Sequence, residues 1–288
     1  MKSENVPQIE NFKFSSNTTY GLGGGAIAAF CPESVRQAIA VYNYLNENKI
    51  KYAVLGNGSN VLASDKFYDG AVIITKRLDE IIVTSDSTVF CRAGVNVSAL
   101  LKFCVNRGLS GVEFLAGIPA TIGGVVCMNA GVSGKYIDGS VLNVELYDGR
   151  IRNFSNKQCN FGHKYSIMRD VNGLILGVWL DLKREKPAKV KENINYYLDK
   201  RRGLPKGKSC GCVFKNPEGI SAGKLIDEAG LKGLKIGGAE VSLKHANFIL
   251  NNGAASADVY RLIKTVKSKV FEKTGILLEE EVVYIGEF

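Results

Sequence analysis

Apolar positions along the chain fall into two rhythms, and each predicts its own elements. Helical spacing appears first at Val35, Ala38, Ile39, Tyr42 and Leu45, predicting a helix over 32–49 with Pro32 tolerated in its first turn. It returns over 97–107, stopped by Gly108, and at Val259, Leu262, Ile263, Val266 and Val270, where Ser256 is the expected N-cap and Gly275 the stop. A polar helix over 189–202 and a short one over 222–229, closed by Gly230, complete the helical set. β-Branched or apolar runs predict strands over 52–55, 71–75, 81–84, 88–93, 142–147, 151–154, 174–182, 247–250, 276–278 and 282–285. Asp148-Gly149 makes the fifth and sixth a hairpin, and Asn252-Gly253 marks another turn. Strands and helices alternate irregularly, which favours an α+β class over a doubly wound sheet. The charged run KREKPAKVK over 183–191 reads as a linker or helix lead-in between two domains. There is no internal repeat and no low-complexity segment.

One stretch breaks both rhythms. Residues 114–134 read FLAGIPATIGGVVCMNAGVSG, twenty-one residues with five glycines and no charge. A membrane helix or a core helix is disfavoured, since each interior glycine costs about 1 kcal/mol and proline about 3. The expectation is a chain of loops and short strands through a buried place, where glycine lets backbone amides approach a ligand and form an anion-binding nest. A second such loop, Gly56-Asn57-Gly58-Ser59-Asn60, follows the buried strand 52–55. Its glycines turn the chain and its Ser and Asn side chains suit phosphate oxygens. It matches neither G-x-G-x-x-G nor the P-loop, because position 61 is Val and no Gly-Lys-Ser/Thr follows.

The 288 residues, 45% hydrophobic and 23% charged, suit an ordinary globular protein of two or three subdomains. The first twelve residues have no apolar core of a secretory signal, and no transmembrane candidate survives. Seven cysteines without a framework spacing point to reduced cytosolic thiols, hence a cytoplasmic location. Cys210 and Cys212 form a lone C-x-C and the chain has only two histidines, so no metal is expected. The net charge of +9 lacks the basic, aromatic-interleaved stripe of a nucleic-acid binder; a positive field equally steers anionic small molecules.

The loop GNGSN after a strand, followed by GLSGVEFLAGIPATIGGVVCMNAG, resembles the UDP-N-acetylenolpyruvoylglucosamine reductase (MurB) family, and the likeness runs from Asn17 to Gly286. The resemblance implies a two-part FAD-binding domain of the MurB/vanillyl-alcohol-oxidase type over 1–186, with subdomains of about 1–76 and 77–186. A smaller α+β substrate domain over 187–288 follows. It implies non-covalent FAD, NADPH as hydride donor, a UDP-sugar substrate, and a reduction that belongs to peptidoglycan synthesis. Residues 17–26 are similar to the family's opening segment, with Gly25 in place of its usual proline. No long insertion precedes Ser209, so the chain resembles the shorter type that lacks a tyrosine-bearing lid. Cofactor contacts are implied for Gly56, Asn57, Gly58, Ser59, Asn60, Gly117, Ile118, Pro119, Thr121, Gly123, Gly124, Asn129, Ala130 and Gly131.

Three catalytic positions carry over with departures. The family's serine proton donor falls on Cys212, in Ser209–Pro217; a thiol of ordinary pKa about 8.5 is mostly protonated at pH 7 and a stronger acid than a hydroxyl. Its arginine falls on Lys164, which keeps the charge and loses the bidentate fork, and His163 takes a tyrosine's place. Its glutamate falls on Glu281; the residues alone do not choose among Glu279, Glu280 and Glu281. Lys215, Asn216 and Lys224, with His163, are implied substrate contacts. The joint changes at Cys212, Lys164 and His163 leave a second reading, a flavin- or UDP-sugar-binding paralogue with weak or no reductase activity. A flavin oxidase is disfavoured by the C-terminal likeness.

Overall fold

The computed structural model describes residues 6–288, which fold as two compact units. Residues 6–9, 29–57 and 72–202 make the first, and 10–28, 58–71 and 203–288 the second. Strands Ala26–Phe30 and Tyr68–Ile74 carry the chain between these sets of residues.

The first unit is built on a five-stranded antiparallel sheet in the order Ile151–Ser155, Val141–Tyr147, Leu174–Asp181, Thr88–Arg92, Ile81–Val83. The expected hairpin turns at Gly149, whose φ of 107° only glycine adopts easily. Val144 sits opposite Val178, and Val178 opposite Cys91, so one face is a continuous apolar row. Helix α1 (Val35–Glu47) begins with its apolar stripe and not at Pro32, because Ser34 is the N-cap and its hydroxyl accepts from the Gln37 amide. Helix α2 (Val97–Arg107) buries Val97, Leu100, Leu101 and Cys104 in the sheet's core and ends at Gly108 in a left-handed cap.

Helix α3 (Ile122–Cys127) corrects the expectation that residues 114–134 hold no helix. The first of its two glycines is there for a packing reason. A Cβ on Gly123 would lie 2.9 Å from that of Ala93, so only glycine lets the helix seat against the end of strand Thr88–Arg92. Helix α4 (Pro187–Arg201) opens with proline in its first turn, buries Val190 and Tyr197, and belongs to this unit.

The second unit has a three-stranded antiparallel sheet, Lys235–Ile236, Ala239–Val241 and Ile249–Asn251, and a parallel pair of Val61–Ala63 with Val283–Ile285. Helix α5 (Ala222–Glu228) and helix α6 (Ser256–Thr274) share its core, and the stripe Val259, Leu262, Ile263, Val266 and Val270 faces inward as its spacing predicts. Three details differ from the sequence reading. Ala255, not Ser256, occupies the N-cap position; its amide donates to Asp258 Oδ2 at 3.1 Å. Ser256 instead exchanges two hydrogen bonds with Asp65, amide to carboxylate at 2.6 Å and Asp65 amide to hydroxyl at 2.8 Å. Residues 276–278 form no strand; Leu278 is buried as a plug in the core. The strand expected over 247–250 begins at Ile249, because Asn247 turns its side chain to another segment.

Candidate active site

The residues singled out from sequence fall into two sets, one in each unit. In the first unit, strand Tyr52–Leu55 delivers Gly56 against Thr121, the residue before α3. A Cβ on Gly56 would lie 2.3 Å from Thr121 Oγ1, so glycine is obligatory there. The Thr121 hydroxyl is buried, and it has no hydrogen-bond partner within the protein. It does not cap its own helix. A buried hydroxyl left unpaired costs about 1–3 kcal/mol, and its persistence beside two glycine-bearing loops fits a ligand that accepts or donates there. Asn57 Nδ2 donates to Asn96 Oδ1 at 2.8 Å and to the Pro119 carbonyl at 3.3 Å, stapling the two loops together. Asn96, at the foot of α2, was not singled out from sequence; a lone asparagine before a helix reads as a cap.

The amides of Ile122 and Gly123 donate to the carbonyls of Val95 and Ala93, so the anion nest expected across this stretch does not extend into α3. Beside Ile118 and Pro119 lies a cavity of about 700 Å³, lined by Val97, Leu101, Lys102 and Val105 of α2 and Lys191, Ile194 and Leu198 of α4. Apolar walls with a few polar groups suit a large planar ligand. The glycine approach, the orphan hydroxyl and the mainly apolar lining together fit a flavin nucleotide.

Beyond α3, Asn129 takes a left-handed φ of 41° and its side chain is 2% exposed. Its carboxamide bonds Asp138 and the Gly162 carbonyl. Gly162 and Tyr165 bond each other's backbone at 3.0 and 3.3 Å, closing a turn whose two central residues are His163 and Lys164. Lys164 sits at φ 56°, a conformation costly for any residue with a Cβ. Its Nζ donates to the Gly131 carbonyl at 3.3 Å and stands 5.9 Å from the centre of the Tyr136 ring. His163 meets the same ring edge-on at 6.1 Å. Tyr136 is a neighbour that sequence reading missed, being one tyrosine among twelve.

In the second unit, Cys212 lies on a segment held on two sides. Val213 donates to the Asn247 carbonyl at 2.9 Å, and the Asn247 side chain bonds both the amide and the carbonyl of Phe214, at 2.9 and 2.8 Å. On the other side Glu281 donates to the Val213 carbonyl and Lys215 to the Glu279 carbonyl, both at 2.8 Å. The glycine-loop residue Asn60 joins this unit, its Nδ2 donating to the Glu281 carbonyl at 2.9 Å. Gly58 accepts from the Thr19 amide, and a Cβ there would lie 2.7 Å from the Asn17 carbonyl.

The two thiols of the C-x-C differ. Cys210 is buried; burial first, then the Glu281 carboxylate and Cys212, push its pKa well up, so it stays protonated and inert. Cys212 is half-buried, the member of the pair open to a reactant. The three glutamates differ as well. Glu279 pairs with Lys215 at 2.5 Å, and Glu280 with Lys264 at 2.9 Å, Lys267 at 3.3 Å and the Tyr284 hydroxyl at 2.6 Å. Glu281 is the one whose charge is felt by Cys210.

The implied substrate contacts already have partners in the chain. Lys215 holds Glu279, the Asn216 carboxamide oxygen accepts from the Ala222 amide at 3.0 Å, and Lys224 Nζ lies 3.7 Å from Glu228. Among the described residues no group of three or more His, Cys, Asp or Glu side chains is arranged to hold a metal. No helix among them is long and apolar enough to cross a membrane.

Comparison with known proteins places this geometry in a family. A family model described as an FAD binding domain matches residues 26–153, and one described as the UDP-N-acetylenolpyruvoylglucosamine reductase C-terminal domain matches 204–285. The reductase of that name from Carboxydothermus hydrogenoformans is 37% identical over 98% of this chain and 95% of its own. That of Limosilactobacillus reuteri is 40% identical over 94% of this chain and 92% of its own. The crystal structure of UDP-N-acetylenolpyruvylglucosamine reductase (MurB) from Thermus caldophilus superposes with a TM-score of 0.83 at 33% identity, covering 98% of this chain and 99% of that one. With both halves matched and near-complete coverage at these identities, the chain belongs to the UDP-N-acetylenolpyruvoylglucosamine reductase family.

Proposed function

We propose that this chain reduces the enolpyruvyl ether of UDP-N-acetylglucosamine enolpyruvate to the lactyl ether of UDP-N-acetylmuramate, a cytoplasmic step of peptidoglycan synthesis with NADPH as reductant. The observation that carries the reading is the buried, unpartnered Thr121 hydroxyl set between Gly56 and the first turn of α3, a cradle for a closely approaching cofactor. FAD would be held without a covalent bond by the loops at 56–60, 117–124 and 130–131, and when bound it would supply the hydride chemistry that links NADPH to C3 of the enolpyruvyl group.

The protein's own side chains supply the rest. Hydride arrival at C3 leaves enolate-like charge on C2 and its carboxylate, and a proton must reach C2. The Cys212 thiol donates that proton, its segment held rigid by Asn247 and by the strand-like bonds to Glu279–Glu281. Lys164 offers positive charge to the carboxylate, where developing charge is worth most in a site closed to water. Glu281, whose carboxylate acts electrostatically on Cys210, assists the proton or the enol. Lys215, Asn216, Lys224 and His163 contact the nucleotide sugar, which for Lys215 and Asn216 means exchanging an internal partner for the ligand.

The test is NADPH oxidation by the purified protein with added FAD, with and without the enolpyruvyl UDP-sugar, followed alongside the visible spectrum. A yellow protein that consumes NADPH when the sugar is present is the expected result. A yellow protein that ignores the sugar would make this a flavin-binding paralogue, and a colourless one would remove the cofactor reading altogether.

A further inference from the structure

We propose that Asn129 is the positioning residue for Lys164, holding by its buried carboxamide the turn that decides where the ammonium stands. The side chain is 2% exposed and its donors are engaged. One Nδ2 hydrogen goes to the Gly162 carbonyl at 2.9 Å and the other to Asp138 Oδ2 at 3.2 Å, while Oδ1 accepts from the Asp138 amide at 3.1 Å. Its backbone amide donates to the Val126 carbonyl at 3.1 Å, which anchors it to the end of α3. A side chain so engaged has no hydrogen left for a cofactor.

The bond to Gly162 is the informative one. That carbonyl also accepts from Tyr165, so Asn129 grips the turn at its closing hydrogen bond. Lys164, at the turn's tip, then returns its ammonium to the carbonyl of Gly131, two residues beyond Asn129. The path Asn129–Gly162–Lys164–Gly131 is therefore a closed ring that starts and ends on one short segment. Within it Lys164 is fixed in a left-handed conformation it would not choose alone. The ring aims a flexible, four-carbon side chain that would otherwise sample many rotamers.

The catalytic meaning rests on the reductase reading of Lys164; the geometry does not, and the test separates the two. Hydrogen exchange of the wild type should show the Tyr165 amide protected. Asn129→Ala and Asn129→Asp, which both lose the donor to Gly162, should speed exchange across 162–165 at least about tenfold and leave strand 174–181 unchanged. FAD affinity should stay within about threefold and NADPH-driven flavin reduction should persist. Sugar-dependent reoxidation should fall at least about tenfold, and Asn129→Ala combined with Lys164→Met should be no slower than Lys164→Met alone. An unprotected turn in the wild type would overturn the proposal without any variant, which covers the case in which neither variant folds. Unchanged exchange in a folded variant would overturn it, as would a loss of FAD affinity that accounts for the loss of rate, or additive effects in the double variant. A wild type that ignores the sugar would end the reductase reading while the exchange data still decide the turn.

Discussion

Glu281 donates its backbone amide to the carbonyl of Val213 at 2.8 Å, which fixes that glutamate's position along the chain relative to Cys212, the residue before Val213. The neighbouring bond from Lys215 to Glu279 and the bridge of Phe214 with Glu280 make a short antiparallel ladder. A one-residue slip would exchange Glu281 for Glu280, whose carboxylate is occupied by two lysines and a tyrosine. Chain pairing therefore gives three consecutive glutamates three different settings that composition could not distinguish.

The proton-donor proposal for Cys212 makes a direct prediction. Cys212→Ser should keep sugar-dependent turnover within about tenfold, because a hydroxyl placed on the same backbone still carries a proton. Cys212→Ala should lose about 10²–10³ in that step and spare flavin reduction by NADPH, the usual worth of a positioned general acid. Full turnover in the alanine variant would move the donor elsewhere. Limited alkylation at pH 8 offers an independent check: Cys212 should react first, since burial pushes Cys127 and Cys159 up to about 11.

Much of this was legible because some patterns are local. The stripe on α6 and the stops at Gly108 and Gly275 are read from spacing and φ preference alone, and each stands where the spacing puts it. The glycine loop after strand Tyr52–Leu55 was legible for the same reason. What failed were choices made by distant partners. Ser256 is a good cap in isolation, but Asp65, 191 residues away in sequence, takes both its hydroxyl and its amide. Helix α3 forms despite its glycines, and the one at position 123 is required because Ala93 leaves no room there for a side chain. Asn129 read as one more polar residue in a ligand loop, and only the fold shows it gripping Gly162.

Thr121 gives a prediction in which two observables move in opposite directions. Thr121→Val keeps the volume and removes the buried hydroxyl that has no partner in the protein. Without FAD the variant should be more stable, by about 1 kcal/mol or more, since an unsatisfied buried polar group is relieved. With FAD it should bind the cofactor more weakly. Urea unfolding of the cofactor-free protein and a flavin fluorescence titration measure the two; a destabilised cofactor-free variant would refute the orphan-hydroxyl argument.

Glu280 sets an acid limit on the second unit. Burial alone would raise its pKa, but the Tyr284 hydroxyl and the Lys264 and Lys267 ammonium groups outweigh it and hold the carboxyl below its ordinary value. A depressed folded pKa means the stabilisation is complete above the unfolded value, about 4.3, and is lost as pH falls through the folded one. Glu280→Gln should therefore cost about 1.5–3 kcal/mol at pH 7, the range for hydrogen bonds to a charged group. The difference from wild type should narrow as pH falls below the unfolded value and close once it passes the depressed folded one, where the wild-type carboxyl is itself protonated. Thermal unfolding at pH 7 and pH 3 decides it; a gap of equal size at both would assign Glu280 a role in packing instead.

Lys164 should show stability and activity pulling apart. Its φ of 56° belongs to a region where a Cβ costs about 1–2 kcal/mol, and the turn position it holds is one that glycine fills without strain. Lys164→Gly should then raise stability by about 1 kcal/mol, after allowing for the extra freedom glycine gives the unfolded chain. The same change removes the ammonium that donates to Gly131 and faces Tyr136, so sugar-dependent turnover should fall at least about a hundredfold while NADPH still reduces the flavin. Lys164→Arg keeps the charge and the strained backbone, and should retain turnover without the gain in stability. If the glycine variant were less stable than the wild type, the lysine would be holding the loop together rather than being held in place for its charge. If it were more stable and equally active, the positive charge that the reaction needs would have to come from another residue.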